Sequence, residues 1–351
     1  MPETLIPTQM PAAVAGLGLM GSSIAACLLA AGHTVVGLET SLSRRRSASR
    51  RLAGLLREMR QQNILQEDVD AVMQRLHVAS SFDALAETKL VIEAVFENSS
   101  DKRNLLQQVE AVAPKSALIG CNTSAIPISY LQDGAINPKR ILGIHWAEPA
   151  HITRFLEVIR GKQTSPTAAR QVVALSRHWG KEPTLLQRDI RGFVANRCFY
   201  AMLREAMHLV ENGYATVADV DRSLRNDIGY WITFAGPFRF IDLTGLPAYE
   251  AVARDLFPEL ANNTTVPPML KKLADSGAKG TANQRGFYKY SKQQAERWDK
   301  LFHEFTYQVR SLASQYPENI GDQTRARVKP SGQEASHDKK LPARKTTRKK
   351  A

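Results

Sequence analysis

The chain has 351 residues, 43% hydrophobic and 23% charged, enough apolar material for about two globular domains rather than one. No apolar run approaches the roughly 20 residues of a membrane span, and the start, MPETLIPTQM, has no basic segment ahead of an apolar one, so neither an anchor nor a secretory signal is expected. The net charge of +13 raises nucleic-acid binding, but residues 321–351 alone hold ten Lys/Arg against three Asp/Glu, so much of the basicity belongs to a tail and not to a folded face.

Residues 12–16 (AAVAG) read as a short buried strand, Gly18 to Ala31 as a helix of small and apolar residues, and residues 34–39 as a second strand. Residues 43–76 are charged and helical in period with a break near Asn63–Gln66, a two-helix arm whose Arg-rich start (Arg44, Arg45, Arg46, Arg50, Arg51) reads as a solvated face. Strands are predicted at 90–95, 117–122, 140–146, 155–160 and 182–188, with helices over 99–113 and 167–180. This alternation argues for an α/β fold with a mainly parallel, doubly wound sheet.

From Gly192 the pattern becomes helical: 192–211, a helix capped by Thr216, then 246–256, 266–275 and 292–314, with no strand run. Past Pro317 apolar residues are too sparse to offset chain entropy, so a disordered basic tail is expected over 318–351. Such a tail solubilises, or binds nucleic acid or another acidic partner. Cys27, Cys121 and Cys198 have neither CxxC nor metal spacing and lie in apolar segments, which predicts three reduced, buried thiols in a cytoplasmic protein and no metal site.

Gly16-Leu17-Gly18-Leu19-Met20-Gly21 fits GxGxxG between the first strand and the first helix. Gly16 permits the tight turn, Gly18 lets backbone approach a pyrophosphate, and Gly21 lets the helix pack on the strand, leaving free N–H groups facing the phosphates. Glu39 ends the second strand, where a carboxylate accepts bonds from the adenosine ribose hydroxyls and repels a 2′-phosphate, so NAD is favoured over NADP. Arg44 and Arg45 nearby are the residues that would accommodate such a phosphate. These features make residues 1–190 a Rossmann-type domain, carrying the arm 43–76, and residues 191–317 a separate all-helical C-terminal domain.

Oxidation of an alcohol requires a group that removes its proton as hydride leaves. His145 ends an apolar strand at the carboxyl edge of the sheet, where ligands bind in open α/β folds. If the segment 140–160 folds back about residue 151, position 145 faces Glu157, whose carboxylate would fix the imidazole tautomer and stabilise the imidazolium.

GLGLMGSSIA, LVIEAVFENSSDK, CNTSAI, GIHWAEPAHITRFLEVIRG and GFVANR occur in order, followed by GYWITFAGPFRFIDLTGL and GFYKY. From about Ala12 to Tyr290 the chain resembles the L-3-hydroxyacyl-CoA dehydrogenase family. The resemblance implies His145 as general base, Glu157 as its orienter, Ser124 bonding the substrate oxygen, and Asn196 holding the thioester or the alcohol. It puts Glu97 and Lys102 at the cofactor, with Asn122 on the same face. On the residues alone, Asn122 and Ser124 read equally as caps of a following helix, and Asn196 as a buried polar group.

The implied reaction is NAD-dependent oxidation of a (S)-3-hydroxyacyl-CoA, such as 3-hydroxybutyryl-CoA, in fatty acid metabolism. The implied assembly is a homodimer formed by the helical domain, which also carries substrate. Glu148 departs from the family's Asn before Pro; it reads as a perturber of His145, a mark of another substrate head group, or an exposed turn residue. His151 reads as structural or as a substrate contact. No coenzyme A contact can be placed on the arm. Oxidation of a free hydroxy acid, gulonate- or carnitine-type, is therefore the alternative, with a non-catalytic NAD-binding sensor as the reading from another class. The 3-hydroxyisobutyrate and 6-phosphogluconate dehydrogenase group is disfavoured, because the helix GFVANRCFY lacks its lysine.

Overall fold

Short runs of small and β-branched residues form one eight-stranded sheet. In chain order the strands are β1 (Ala12–Ala15), β2 (Val35–Leu38), β3 (Leu76–Ala79), β4 (Leu90–Glu93), β5 (Leu118–Cys121), β6 (Ile141–Trp146), β7 (Phe155–Ile159) and β8 (Glu182–Leu186). The structure, a computed structural model, describes residues 6–316, so the tail predicted over 318–351 lies outside the described residues. Across the sheet the order is β3-β2-β1-β4-β5-β6-β7-β8. Every neighbouring pair is parallel except β6 and β7, which run antiparallel.

Helices α1 (Leu19–Ala30), α2 (Leu42–Gln61), α3 (Val69–Met73), α4 (Ser99–Val112), α5 (Ile128–Leu131) and α6 (Pro166–His178) connect the strands. One sheet face packs Ile24, Leu28, Leu52, Leu56, Val172 and Leu175 from α1, α2 and α6. The other packs Leu106, Val109, Ile128 and Leu131 from α4 and α5. Both faces are covered, which is why the strands read as continuous apolar runs rather than as alternation.

After β8 the chain is helical: α7 (Ala195–Glu211), α8 (Val217–Asn226), α9 (Ile228–Ile232), α10 (Gly236–Thr244), α11 (Leu246–Leu256), α12 (Pro268–Asp275) and α13 (Lys292–Ala313). Thr216 caps α8 by accepting the Asp219 N–H, and α13 opens with a capping box of Ser291 and Gln294.

Four sequence expectations are corrected. The two helices expected over 43–76 are present as α2 and α3, and Ala48, Leu52, Leu56 and Met59 bury one face of α2, but Arg51 leaves the solvated face to donate to the Leu17 carbonyl at 2.8 Å. Strand β3, half-exposed at the sheet edge, was absent from the expected set because its residues do not form a continuous apolar run. Helices α9 and α10 were also absent; Gly229, Gly236 and Pro237 interrupt their sequence. Cys27 and Cys121 are buried, but Cys198 is exposed on α7.

Candidate active site

The glycine loop follows β1. Gly16 has φ +98°, and a Cβ there would meet the Ala94 carbonyl at 2.9 Å. At Gly21 a Cβ would lie 1.8 Å from the Gly16 carbonyl oxygen, so α1 starts against the turn only because this position is bare. Gly18 is different: its Cβ direction is open space. It stands at the N-cap of α1, where backbone N–H groups have no partner within the helix.

These groups border a cleft of about 700 Å³, lined by Gly16, Gly18, Leu19, Met20, Glu39, Glu97, Asn122 and Ser124, among others. The bare Gly18 wall, the helix N-terminus and an acid at the end of β2 fit a dinucleotide. Glu39 accepts the Leu17 N–H at 3.1 Å and the Ser41 N–H at 2.9 Å. Arg44, expected on a solvated face, also lines this cleft.

Three expected cofactor residues lie outside the lining. The Leu17 side chain is fully buried in the core, and Gly21 serves packing. Lys102 is fully buried beneath the floor rather than in contact with the cleft. Its Nζ donates to Glu93 at 2.6 and 2.8 Å and to the Asn122 carbonyl at 3.0 Å, and lies 3.3 Å from Glu97. Burial pushes the Glu93 carboxyl up, to about 7, against the lowering effects of Lys102 and the Val95 N–H.

Glu97 in turn accepts the Thr123 hydroxyl at 2.5 Å and the Ser124 N–H at 3.0 Å. This fixes the loop after β5. The Ser124 hydroxyl makes no hydrogen bond among the described residues, while its carbonyl accepts Asn196 Nδ2 at 3.0 Å. Asn122 Oδ1 accepts the Trp146 N–H at 3.2 Å, tying the cleft floor to the end of β6.

The folded-back hairpin is observed in the expected register, with His145 opposite Glu157. His145 Nδ1 lies 2.8 Å from Glu157 Oε2. A carboxylate only accepts, so Nδ1 carries the proton and Nε2 is the free basic nitrogen. The ring sits against Phe155 and Phe193, with centroids 5.4 and 5.5 Å away.

The other oxygen of Glu157 accepts the Val194 and Ala195 N–H groups, each at 3.0 Å, at the start of α7. Burial raises the Glu157 carboxyl, but the bonds from His145, Ala195 and Val194 outweigh it and hold the group below its ordinary range. The chain reaches this position through left-handed backbone at Gly192 (φ +79°) and Phe193 (φ +50°), the latter a bulky residue in a costly region. A single network therefore runs from His145 through Glu157, the first turn of α7, Asn196 and Ser124 to Glu97, Lys102 and Glu93.

Sequence reasoning missed Glu93, Thr123, Phe193 and the two α7 amides. All of them lie inside the sequence motifs, Glu93 in LVIEAVFENSSDK, Thr123 in CNTSAI, and Phe193 with the two amides in GFVANR, but only the polar side chains of Glu93 and Thr123 carried a local signal. Glu148 is exposed in the turn, with no hydrogen bond or ion pair among the described residues. His151 is buried, with Nδ1 2.8 Å from the Ser23 hydroxyl and Nε2 3.5 Å from the Glu58 carboxylate, and it is not among the residues lining the cleft. No described helix is long and apolar enough to cross a membrane.

The family model described as 3-hydroxyacyl-CoA dehydrogenase, NAD binding domain, matches residues 11–190, and the one for the C-terminal domain of the same family matches residues 192–290. The chain is 33% identical over 303 residues to 5-formyl-3-hydroxy-2-methylpyridine 4-carboxylate 5-dehydrogenase of Mesorhizobium japonicum, covering 82% of this chain and 95% of that protein. A crystal structure of an enzyme of that name, described as an NAD+ dependent dismutase, is similar with a TM-score of 0.82 and 30% identity, over 88% of this chain and 99% of that one. A crystal structure of (S)-3-hydroxybutyryl-CoA dehydrogenase from Ralstonia eutropha is similar with a TM-score of 0.67 and 30% identity, over 80% and 99%. With a dinucleotide cleft, a helical second half and both family models in sequence, this chain belongs to the 3-hydroxyacyl-CoA dehydrogenase family, as an NAD-dependent dehydrogenase acting on a CH–OH group.

Proposed function

We propose that His145 is the general base of this dehydrogenase, with Glu157 as its orienting carboxylate. His145 Nε2 takes the hydroxyl proton of the substrate, and Glu157 stabilises the imidazolium that results. The Ser124 hydroxyl bonds the reacting oxygen, and Asn196 holds the substrate beside it. Gly16, Gly18, Leu19, Met20 and Glu39 would hold NAD, which would supply the acceptor for the hydride of the carbinol carbon. The observation that carries this reading is the 2.8 Å contact of His145 Nδ1 with a carboxylate whose second oxygen is held by two backbone amides. A complete set of Ser124, His145, Glu157 and Asn196 speaks against a non-catalytic sensor.

For the substrate we favour a small free carboxylic acid bearing an alcohol or a hydrated aldehyde over a coenzyme A ester. A hydrated aldehyde, CH(OH)2, is itself a CH–OH substrate and yields the acid by the same proton and hydride transfers. Supporting this choice, the pyridine-carboxylate enzyme matches a larger share of the chain, and with a higher TM-score, than the hydroxybutyryl-CoA enzyme does. The second reading, a (S)-3-hydroxyacyl-CoA in fatty acid metabolism, is favoured by the family itself.

A panel separates them: 5-formyl-3-hydroxy-2-methylpyridine-4-carboxylate, carnitine and gulonate with NAD, and acetoacetyl-CoA with NADH, followed by NADH absorbance. Turnover of free acids and none of the thioester supports the first reading, and the reverse result the second. His145→Ala should cut kcat at least about 100-fold on the active substrate; near-normal kcat would remove His145 as base. We place the enzyme in the cytoplasm, with three free thiols in keeping with a reducing compartment, and we propose a homodimer formed by the helical half.

A further inference from the structure

Residues 147–154 join the strand of His145 to the strand of Glu157. In an antiparallel pair the connection fixes the register, and a slip of one residue would turn Glu157 to the opposite face, away from the imidazole. Whatever holds this loop holds the pair.

The loop is held by groups distant in sequence. The Ala150 carbonyl accepts Lys181 Nζ, and the Cys27 thiol at 3.4 Å. The Thr153 carbonyl accepts the same lysine. The His151 N–H donates to the Ser23 hydroxyl at 2.9 Å. The Ile152 carbonyl accepts Arg310 Nη1 at 2.7 Å. Ser23 and Cys27 belong to α1 and Lys181 precedes β8, but Arg310 comes from α13, beyond the residues 11–290 that the family models match.

Helix α13 is fastened at a second point, where the Tyr307 hydroxyl donates to Glu58 of α2 at 2.8 Å. The approach of Arg310 is provided for in the backbone: Gly180 has φ +69°, and a Cβ there would meet Arg310 Nη2 at 2.9 Å. Neither Lys181 nor Arg310 forms an ion pair with a carboxylate among the described residues. Among the described residues, the side-chain hydrogen bonds of both cations go to carbonyls of this one loop.

We infer that Arg310 is a positioning residue for the His145–Glu157 pair, acting through the Ile152 carbonyl, so that α13 is part of the catalytic apparatus. This rests on His145 as base. A lost anchor loosens the turn and lets the imidazole stray from the productive geometry, whereas the glycine cleft, built on β1, β2 and α1, stays as it is. The loss belongs in kcat and not in KM for NAD, since small misplacements of a catalytic group cost about 100-fold.

The test compares Arg310→Ala, Arg310→Gln and Arg310→Lys in the full chain. The substrate is 5-formyl-3-hydroxy-2-methylpyridine-4-carboxylate or acetoacetyl-CoA, whichever turns over faster. We expect kcat to fall about 10- to 100-fold in Arg310→Ala with KM for the nucleotide used (NAD, or NADH with acetoacetyl-CoA) unchanged within about twofold, partial recovery in Arg310→Lys, and rescue of Arg310→Ala by added ethylguanidinium. A second readout needs no turnover: the downfield Nδ1–H proton resonance of His145, protected from exchange by Glu157, should broaden or vanish in Arg310→Ala and return in Arg310→Lys. Unchanged kcat and an unchanged resonance would overturn the proposal. So would a loss shared equally by all three variants and untouched by ethylguanidinium. If Arg310→Ala fails to fold, a kcat order of Arg, Lys, Gln at constant KM supports the role, and equal kcat values refute it. Normal turnover by His145→Ala would instead show that the base assignment, not the anchor, is at fault.

Discussion

Glu157 serves two masters with its two oxygens, the His145 ring on one side and the Val194 and Ala195 amides on the other. Only an ionised carboxylate accepts from both. In Glu157→Gln the amide can offer its oxygen to one partner only by turning its NH2 toward the other, donor against donor. We therefore expect kcat to fall by about 1,000- to 10,000-fold, on the scale of losing the orienting acid in a catalytic triad, measured as initial NADH formation. A fall smaller than about tenfold would mean that the imidazole is oriented by something else. The His145–Glu157 contact was legible in the sequence because a hairpin of known centre pairs residues by simple symmetry. The amide contacts were not: they span 37 and 38 residues and depend on a left-handed turn at Gly192 and Phe193 that no local pattern announces.

At the scale of elements, α1 and the segments around it decide whether a cleft forms at all. Gly21→Ala drives a methyl onto the Gly16 carbonyl, and we expect it to destabilise the fold by about 3 kcal/mol or more and to abolish NADH binding, read by thermal melting and nucleotide fluorescence. Gly54→Ala on the exposed side of α2 is the control: its Cβ meets nothing within 4 Å, and it should stabilise by about 0.5–1 kcal/mol. Two buried imidazoles beside these helices contribute to the acid response. His33 donates Nδ1–H to the Met10 carbonyl at 2.7 Å and accepts the Trp179 indole N–H at 2.9 Å, so it is held neutral. Burial lowers the pKa of His33 and of His151 below the ordinary 6.5. Above that value both states are neutral and neither residue contributes. As pH falls below it, the unfolded chain takes protons that the fold refuses, and stability declines by about 1.4 kcal/mol per pH unit for each imidazole until the folded pKa is reached. The raised Glu93 carboxyl acts in the opposite sense, gaining stability as pH falls below about 7, so the test is a difference: the urea midpoint of His33→Gln should fall less between pH 7.5 and 5 than that of the wild-type chain, and equal slopes would contradict the neutral assignment of His33. The strands and long helices were readable because their apolar periods are strong, whereas β3 and the Gly- and Pro-broken α9 and α10 take their form from neighbours.

For the molecule as a whole, apolar burial is uneven. The sheet and its helices enclose two cores, yet the described residues of α7 and α8 bury only Met207 and Val220, and those of α9, α10 and α11 bury none. Phe238, Phe257 and Leu246 are exposed at 83%, 70% and 61%. Helices that leave such side chains in water forgo about 1.5–3 kcal/mol for each, and large exposed apolar patches mark association sites. A second copy of the chain supplies the missing cover in the proposed homodimer. We expect twice the chain mass by light scattering at micromolar concentration and a melting temperature that rises with protein concentration, as mass action requires. Phe238→Asp combined with Leu246→Asp places two charges among these exposed side chains and should yield monomers or a chain that melts lower without concentration dependence. A wild-type chain that runs as a monomer at about 50 μM, with concentration-independent melting, would exclude the dimer, since an interface above roughly 1,000 Å² should persist there. The burial would then have to come from rearrangement within one chain, detectable as protection of the α9–α11 amides from hydrogen exchange.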